Sequence, residues 1–401
     1  MENAIALSPN LHPSHALGPV TDDWIAIDVW ISHLRLRPLA ETTLRSYESE
    51  LAKFRWYCEH LHRPTPRSWN VQDAVQFVTW LQEEVQHHIS ARGIAQDDPL
   101  WTPFKSIPSK TSIATTLKVI NALYNFWVSA GYVPRNPLMG IGREATRRQI
   151  RKVKSLAPQF MEAVIRHMES TVTTRPIDFL QMIRNRFVLV LLERTGLRAN
   201  ETISADMDDI EPVIDPQTGH TYWRLNVRFA KGGKQSSVLL DDVVLEHLRV
   251  YRQAFGFSDM PTGNEKNVAL ILSVRTQPLV RSNGTTYRYS TPAMRHFKSW
   301  RPIRRRQTLW DIVKREFDST AVAMREKGYH EQADQLLQAS THWLRHTFGT
   351  RLVQEGHDLR LVAQLMRHEN IRNTMIYTQQ EFLDVARAMH AATAPSPNAQ
   401  H

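Results

Sequence analysis

The run Leu365-Met366-Arg367-His368-Glu369-Asn370-Ile371-Arg372-Asn373-Thr374-Met375-Ile376-Tyr377-Thr378 sets a tyrosine, Tyr377, nine positions after a histidine, His368. Just upstream stands Thr341-His342-Trp343-Leu344-Arg345-His346-Thr347-Phe348. Far upstream stands Arg194-Thr195-Gly196-Leu197-Arg198-Ala199-Asn200-Glu201. Three separated segments each supply a basic or donor side chain, and a tyrosine closes the set. A metal-free phosphodiester transesterase needs such a set: donors that hold a phosphate and a hydroxyl that attacks it.

The chemistry follows from charge. A phosphodiester gains negative charge on its non-bridging oxygens in the transition state, and guanidinium forks bind such oxygens bidentately while staying charged. Arg198 and Arg345 are the candidates, with Arg198 expected at a helix C-terminus just after Gly196. Arg345 is expected to begin a helix three residues after His342, so the two share one face. His342 is expected to donate to the same phosphate or to handle the proton of the attacking hydroxyl, and His368 adds another donor. Tyr377 is the candidate nucleophile; a free phenol has a pKa of ~10 and needs cationic neighbours to ionise near neutrality. The leaving 5′-oxygen needs a proton, which a lysine on the turn Ala230-Lys231-Gly232-Gly233-Lys234 can deliver.

Bulk properties agree with a polyanion as partner. The 401 residues suggest two domains, and the net charge is +10. Residues 21–142 balance to zero, whereas Arg143 to Lys154 holds six basic residues against Glu144, and Arg295 to Arg315 holds eight against Asp311. Such clusters suit a nucleic acid, although a solvated charged face is an equal alternative from charge alone. Cys58 is the only cysteine, so neither an internal disulfide nor a cysteine-based zinc site can form, and a reducing, cytoplasmic setting fits. No apolar run approaches the ~20 residues of a membrane span, and no membrane partner is expected. No cofactor or metal is implied.

The first half reads as helical. Periodic apolar residues predict helices over Thr42–His60, Val71–Val85 and Ser112–Gly131, with a loop from Ala91 to Lys110. A flexible arm is expected over residues 1–20, a helical DNA-binding domain over 21–142, a basic linker over 143–157, a second domain over 158–392 and a flexible tail over 393–401. In the second domain helices are expected over Pro158–Met168 and Ile177–Arg194. The period then changes: Tyr222 to Phe229 and Ser236 to Leu240 alternate, predicting a small antiparallel sheet. Asp241 to Phe255 returns to helix, and the remainder reads as mainly helical apart from Pro278 to Pro302.

In this order and spacing the motifs resemble those of the tyrosine recombinases, or phage integrase family. The matching residues are Thr195-Gly196-Leu197-Arg198 with Glu201, Lys231-Gly232, His342-x-x-Arg345-His346-Thr347, Leu365-x-x-His368 and Tyr377. The resemblance covers most of the chain. It implies a mainly α fold with a small antiparallel sheet, split into a helical core-binding domain and a mixed α/β catalytic domain. It implies that Arg198, His342 and Arg345 bind the scissile phosphate, that His368 assists, that Lys231 is the general acid, and that Tyr377 forms a 3′-phosphotyrosyl link and frees a 5′-hydroxyl. The covalent link stores the energy of the broken bond. Four protomers would act on two double-stranded DNA sites, and the free protein would be a monomer or weak oligomer. The sequence leaves open whether accessory DNA-bending proteins take part. A relaxing topoisomerase, a hairpin-forming resolvase and a non-catalytic DNA-binding protein of the same fold are the alternatives.

Some positions depart from the pattern. Arg367 stands where a glycine commonly precedes the histidine, and is expected to contact a DNA phosphate or cap a surface. Lys234 competes with Lys231 as general acid. The span from Leu240 to His342 is long for the family, and its excess over residues 281–307, with Arg301, Arg304, Arg305 and Arg306, is expected to touch DNA or a neighbouring protomer. Bland roles are expected elsewhere. Glu201 holds an arginine, His346 is a buried hydrogen-bonding residue, Asp206, Asp208 and Asp209 form a turn into the sheet, and Trp56, Trp80 and Trp127 are core.

Overall fold

The computed structural model describes residues 15–18, 20, 22–91, 93–141, 154–228, 236–263, 265–276, 279–280, 286–287, 300–368 and 370–378. The chain divides into two units, Met1–Gln149 and Ile150–His401. Most of the expected arm, most of the linker, the tail and the turn carrying Lys231 and Lys234 lie outside the described residues.

Among the described residues the first unit holds four α-helices: α1 (Asp23–Arg35), α2 (Glu41–His60), α3 (Val71–Glu83) and α4 (Lys110–Ser129). Each of three starts where a side chain satisfies free backbone N–H groups. Asp22 accepts from Trp24 and Ile25, Asn70 forms a capping box with Asp73, and Ser109 accepts from Ser112. Gly131, at φ +72°, follows the end of α4 in the left-handed region. Helix α1 was not expected. Its buried apolar residues Ala26, Ile27, Trp30, Ile31 and Leu34 nevertheless keep helical spacing, with Asp28, Ser32 and Arg35 exposed on the opposite face. Trp56, Trp80 and Trp127 are buried, as the sequence predicts, within an aromatic core that includes Phe54, Tyr57 and Phe77. Within that core the Glu50 carboxylate accepts from Thr116 Oγ1 at 2.6 Å and pairs with Lys53, so this buried charge is compensated.

The second unit is mixed. Helices α5 (Pro158–Ser170), α6 (Pro176–Thr195) and α7 (Ala199–Ser204) lead into strands β1 (Ile210–Ile214), β2 (Thr221–Val227) and β3 (Ser236–Leu240). These pair antiparallel in the order β1-β2-β3, with Leu225 opposite both Ile210 and Val238. Helix α8 (Asp242–Ala254) follows, then β4 (Leu272–Thr276), β5 (Leu279–Val280), β6 (Thr286–Tyr287) and β7 (Trp300–Pro302). Helices α9 (Arg306–Glu326), α10 (His330–Gln338), α11 (Thr341–Gln354) and α12 (Leu359–Leu365) complete it, followed by two 3-10 turns, Ile371–Asn373 and Met375–Thr378. Helix α6 is the centre: Phe187 to Leu192 are all buried, and α8, α9 and α11 pack around it. Pairs β4–β7 and β5–β6 are additions to the single sheet expected. Strand β4 follows a buried apolar run, Val268 to Leu272, whose period alone does not separate strand from helix. Among the described residues no helix is long and apolar enough to cross a membrane.

Two charge clusters behave differently. Asp206, Asp208 and Asp209 converge on Arg228, so the acidic run closes a turn onto the sheet. Arg304 is tethered to the fold while its side chain stays 38% exposed: one amino group donates to the carbonyls of Ile203 and Ala205 at 2.9 Å each, and the other pairs with Asp206. Of the four arginines expected to touch DNA or another protomer, Arg304 thus has donors already engaged within the chain. Arg304→Ala is therefore expected to lower stability by about 1–3 kcal/mol, read as the urea midpoint. The salt dependence of DNA binding should stay as it was, because no phosphate contact is lost.

Candidate active site

Helix α6 ends at Gly196, whose φ of +57° is left-handed. A Cβ there would lie 2.5 Å from Phe348 Cδ1, so both conformation and packing require glycine. The chain restarts as α7 with Arg198 at its N-cap. Arg198 thus begins a helix, where the sequence reading put it at the end of one; the left-handed glycine turns the chain first. The Glu201 carboxylate fixes it, accepting from the Arg198 backbone N–H at 2.8 Å and from its guanidinium at 2.7 Å. The Arg198 side chain remains 40% exposed while that of Glu201 is 4% exposed, so a buried anchor aims an open guanidinium.

Helix α11 begins at Thr341, so His342, Arg345 and His346 share the face of its first turns. Arg345 is buried and donates to the carbonyls of Gly196 and Met366, tying the end of α6 to the end of α12. His342 is exposed, and its ring meets the His346 ring edge-on at 4.4 Å. After α12 the chain passes Met366 and Arg367 to His368, whose Nδ1 is hydrogen-bonded to Thr374 Oγ1 at 2.9 Å. Tyr377, in the last turn, is only 7% exposed. Its ring is nearly parallel to that of His368 at 6.3 Å, and its hydroxyl lies 2.9 Å from His346 Nδ1 in a hydrogen bond. His346 therefore has the hydrogen-bonding role expected of it, though it is half-buried rather than buried.

The electrostatics are those of a site short of an anion. Burial, then the Arg198 and Arg367 charges, brings the Arg345 guanidinium down to about 9. Burial, followed by His342 and Arg345, lowers His346 to about 4; burial, followed by the arginines, lowers His368 to about 4; His342 is lowered for the same reasons. Burial pushes the Tyr377 phenol up to about 12, against the pull of Arg345 and Arg198. At neutral pH the histidines are neutral, the phenol is protonated, and the guanidiniums of Arg198, Arg345 and Arg367 face the Glu201 carboxylate. Burial raises the Glu201 carboxyl, but Arg367 and the hydrogen bonds from Arg198 outweigh it and hold it below its usual range.

A pH effect follows with a definite sign. A histidine whose folded pKa is depressed stabilises the fold above its ordinary value near 6.5, and loses that contribution as pH falls toward 4. His368→Asn, which can keep a bond to Thr374, is expected to narrow the drop in thermal midpoint between pH 7 and pH 5 by about 2–4 °C. An identical drop in both proteins would mean His368 is not held neutral by the fold.

Of the six residues singled out by sequence, Arg198, His342, Arg345, His368 and Tyr377 belong to one connected group; Lys231 lies outside the described residues, as does Lys234. Arg367 differs from its expectation. Its side chain is 6% exposed and paired with Glu201, so it neither caps a surface nor faces solvent. Gly349 went unnoticed in the sequence. A Cβ there would fall 2.6 Å from Met366 Sδ and 2.8 Å from Tyr377 Cζ, so its absence makes room for the tyrosine ring. A glycine inside a helical run, as in His346-Thr347-Phe348-Gly349-Thr350, signals close approach and could have flagged it.

Comparison with known proteins agrees. The profile of the Phage integrase family matches residues 303–383. The tyrosine recombinase XerD of Mycobacterium tuberculosis is 25% identical over 352 residues, covering 87% of this chain and 91% of that protein. Among solved structures, the XerH site-specific recombinase bound to palindromic difH substrate superposes with a TM-score of 0.53 at 16% identity, over 93% of this chain and 83% of that one. A lambda integrase dimer bound to a COC′ core site gives 0.52 at 13% identity, over 90% and 78%. In sequence the chain is thus similar to the tyrosine recombinases, or phage integrase family, over residues 303–383 and along most of its length to XerD, and it shares the two-unit, mainly helical fold of the solved recombinases.

Proposed function

We propose that this chain cuts and rejoins double-stranded DNA at specific sites through a 3′-phosphotyrosyl intermediate. The observation that carries the reading is the meeting of Arg198, Arg345, His342, His368 and Tyr377 in one connected, cation-rich group. Arg198, Arg345 and His342 hold the non-bridging oxygens of the scissile phosphate, and His368 supports them. The Tyr377 oxygen attacks phosphorus as its proton passes to the neutral His346, whose Nδ1 lies 2.9 Å away. The bond to the 5′-oxygen breaks, and Lys231 protonates that oxygen. Attack by a partner strand's 5′-hydroxyl reverses these steps onto a new strand. The buried phenol must lose its proton to react, and an incoming phosphate sets the Arg345 and Arg198 charges close to it.

The residue roles rest on motif order and this geometry. Four protomers on two DNA sites, acting in the cytoplasm, complete the reading. The solved XerH and lambda integrase complexes, each bound to a DNA site, lend it support by fold. A duplex nicked close to the cleavage position tests it, because the short 5′-hydroxyl fragment diffuses away. Wild-type protein is expected to accumulate a covalent DNA adduct on the peptide containing Tyr377, identified by mass spectrometry. DNA binding without any adduct would favour a non-catalytic binding protein. Adduct with relaxation of supercoiled DNA but no joining of two sites would favour the topoisomerase reading.

A further inference from the structure

Arg367 occupies a backbone conformation that a side chain makes costly, with φ at +54°. The side chain is not spent on solvent. It donates to the Leu365 carbonyl at 3.0 Å, to the Gly196 carbonyl at 3.1 Å and to Glu201 Oε2 at 3.0 Å. Two of these acceptors are shared. The Gly196 carbonyl also receives Arg345, and Glu201 also receives Arg198. The Arg367 carbonyl in turn accepts from Arg198 at 3.3 Å. Every acceptor that Arg198 and Arg345 use here is thus Arg367's own carbonyl, an acceptor Arg367 shares, or the Met366 carbonyl beside it.

This arrangement has a chemical consequence. Arg345, as described, gives hydrogen bonds to two carbonyls, and a phosphate must take at least part of that guanidinium. A buried carbonyl or carboxylate that loses its donor is left unsatisfied, which opposes the exchange. Resting on the reading above, we propose that Arg367 is a positioning residue: it keeps Gly196 and Glu201 satisfied while Arg345 and Arg198 turn onto the DNA phosphate. Its positive charge, buried beside Glu201, also leaves that carboxylate unable to neutralise Arg198 on its own. Arg367 therefore preserves net positive charge for the phosphate without touching it.

The test compares Arg367→Gly, Arg367→Lys and Glu201→Gln with wild type. The measurements are duplex affinity by gel shift and single-turnover adduct formation on the nicked duplex at saturating DNA. Glycine suits the left-handed backbone, which offsets part of the loss of the Glu201 pair and the two carbonyl bonds, so Arg367→Gly should fold with a lowered thermal midpoint. Its affinity for DNA should change by less than about threefold, while adduct formation slows by about 10²-fold, the scale of a misplaced reacting group. Arg367→Lys should recover part of the rate. Combining Arg367→Gly with Glu201→Gln should cost less than the product of the two separate losses, because both break one pair. A wild-type cleavage rate in folded Arg367→Gly overturns the proposal alone. Absence of adduct from wild-type protein overturns the reading beneath it, and the proposal with it.

Discussion

Tyr377→Phe is expected to bind DNA as the native protein does and to form no covalent adduct with the nicked duplex. The loss should exceed ~10⁴ in rate, the scale on which removal of an enzyme nucleophile is felt. The change is nearly silent for the fold. The phenyl ring keeps its place beside Gly349, Met366 and the parallel His368 ring. Only the hydroxyl bond to His346 Nδ1 disappears, at about 0.5–1.5 kcal/mol. Stability and DNA affinity are therefore the controls, and denaturing gel electrophoresis after incubation with labelled duplex is the measurement. An adduct that survives the substitution would mean that another side chain attacks, and the role of Tyr377 would fall.

How much of this arrangement is visible in the sequence depends on what kind of information each residue carries. The spacing of His342, Arg345 and His346 puts them on one helical face, and the helix ending near Arg194 is legible, although the restart at Arg198 is not, since the sequence reading puts Arg198 at the end of a helix. The first two are local geometry, and local geometry survives folding. The capped helices α3 and α4 are legible for the same reason, since Asn70 and Ser109 precede clear apolar stripes. Helix α1 carries the same kind of signal, with Asp22 ahead of Ala26, Ile27, Trp30, Ile31 and Leu34 on one face, although it is not among the helices expected from the sequence. Arg304 and Arg367 are illegible. A sequence shows that they are charged, but not that carbonyls of Ile203, Ala205 and Gly196 lie within reach from roughly 100 or more positions away. The positive φ of Arg367 is likewise hidden, because an arginine there advertises no turn. Choosing between Lys231 and Lys234 depends on a turn that lies outside the described residues.

Gly349→Ala should separate the packing of the nucleophile from its chemistry. Two effects of opposite sign compete. Alanine is the better helix former by about 1 kcal/mol, so α11 alone would gain. Against that, the added methyl would sit 2.6 Å from Met366 Sδ and 2.8 Å from both Tyr377 Cε2 and Cζ. Overpacking of this kind costs about 1–3 kcal/mol. Met366 has little room to yield without consequence, because it is fully buried and its carbonyl receives Arg345. The tyrosine ring sits in a short 3-10 turn, held by packing and by its hydroxyl bond to His346, so it is the part expected to move. The net stability change should be modest, about 0–2 kcal/mol, whereas displacement of the ring by about 1 Å should slow adduct formation by about 10²-fold. DNA affinity should hold, because Arg198 does not contact the methyl. The decisive comparison is single-turnover cleavage at saturating DNA against Gly356→Ala, where an added Cβ meets open space and only the left-handed backbone, φ +82°, is strained, so stability is lost without pressing on the tyrosine ring. If Gly349→Ala cleaves as fast as wild type or faster, the packed position of Tyr377 is a resting one, and attack on the phosphate begins after the ring has left Gly349.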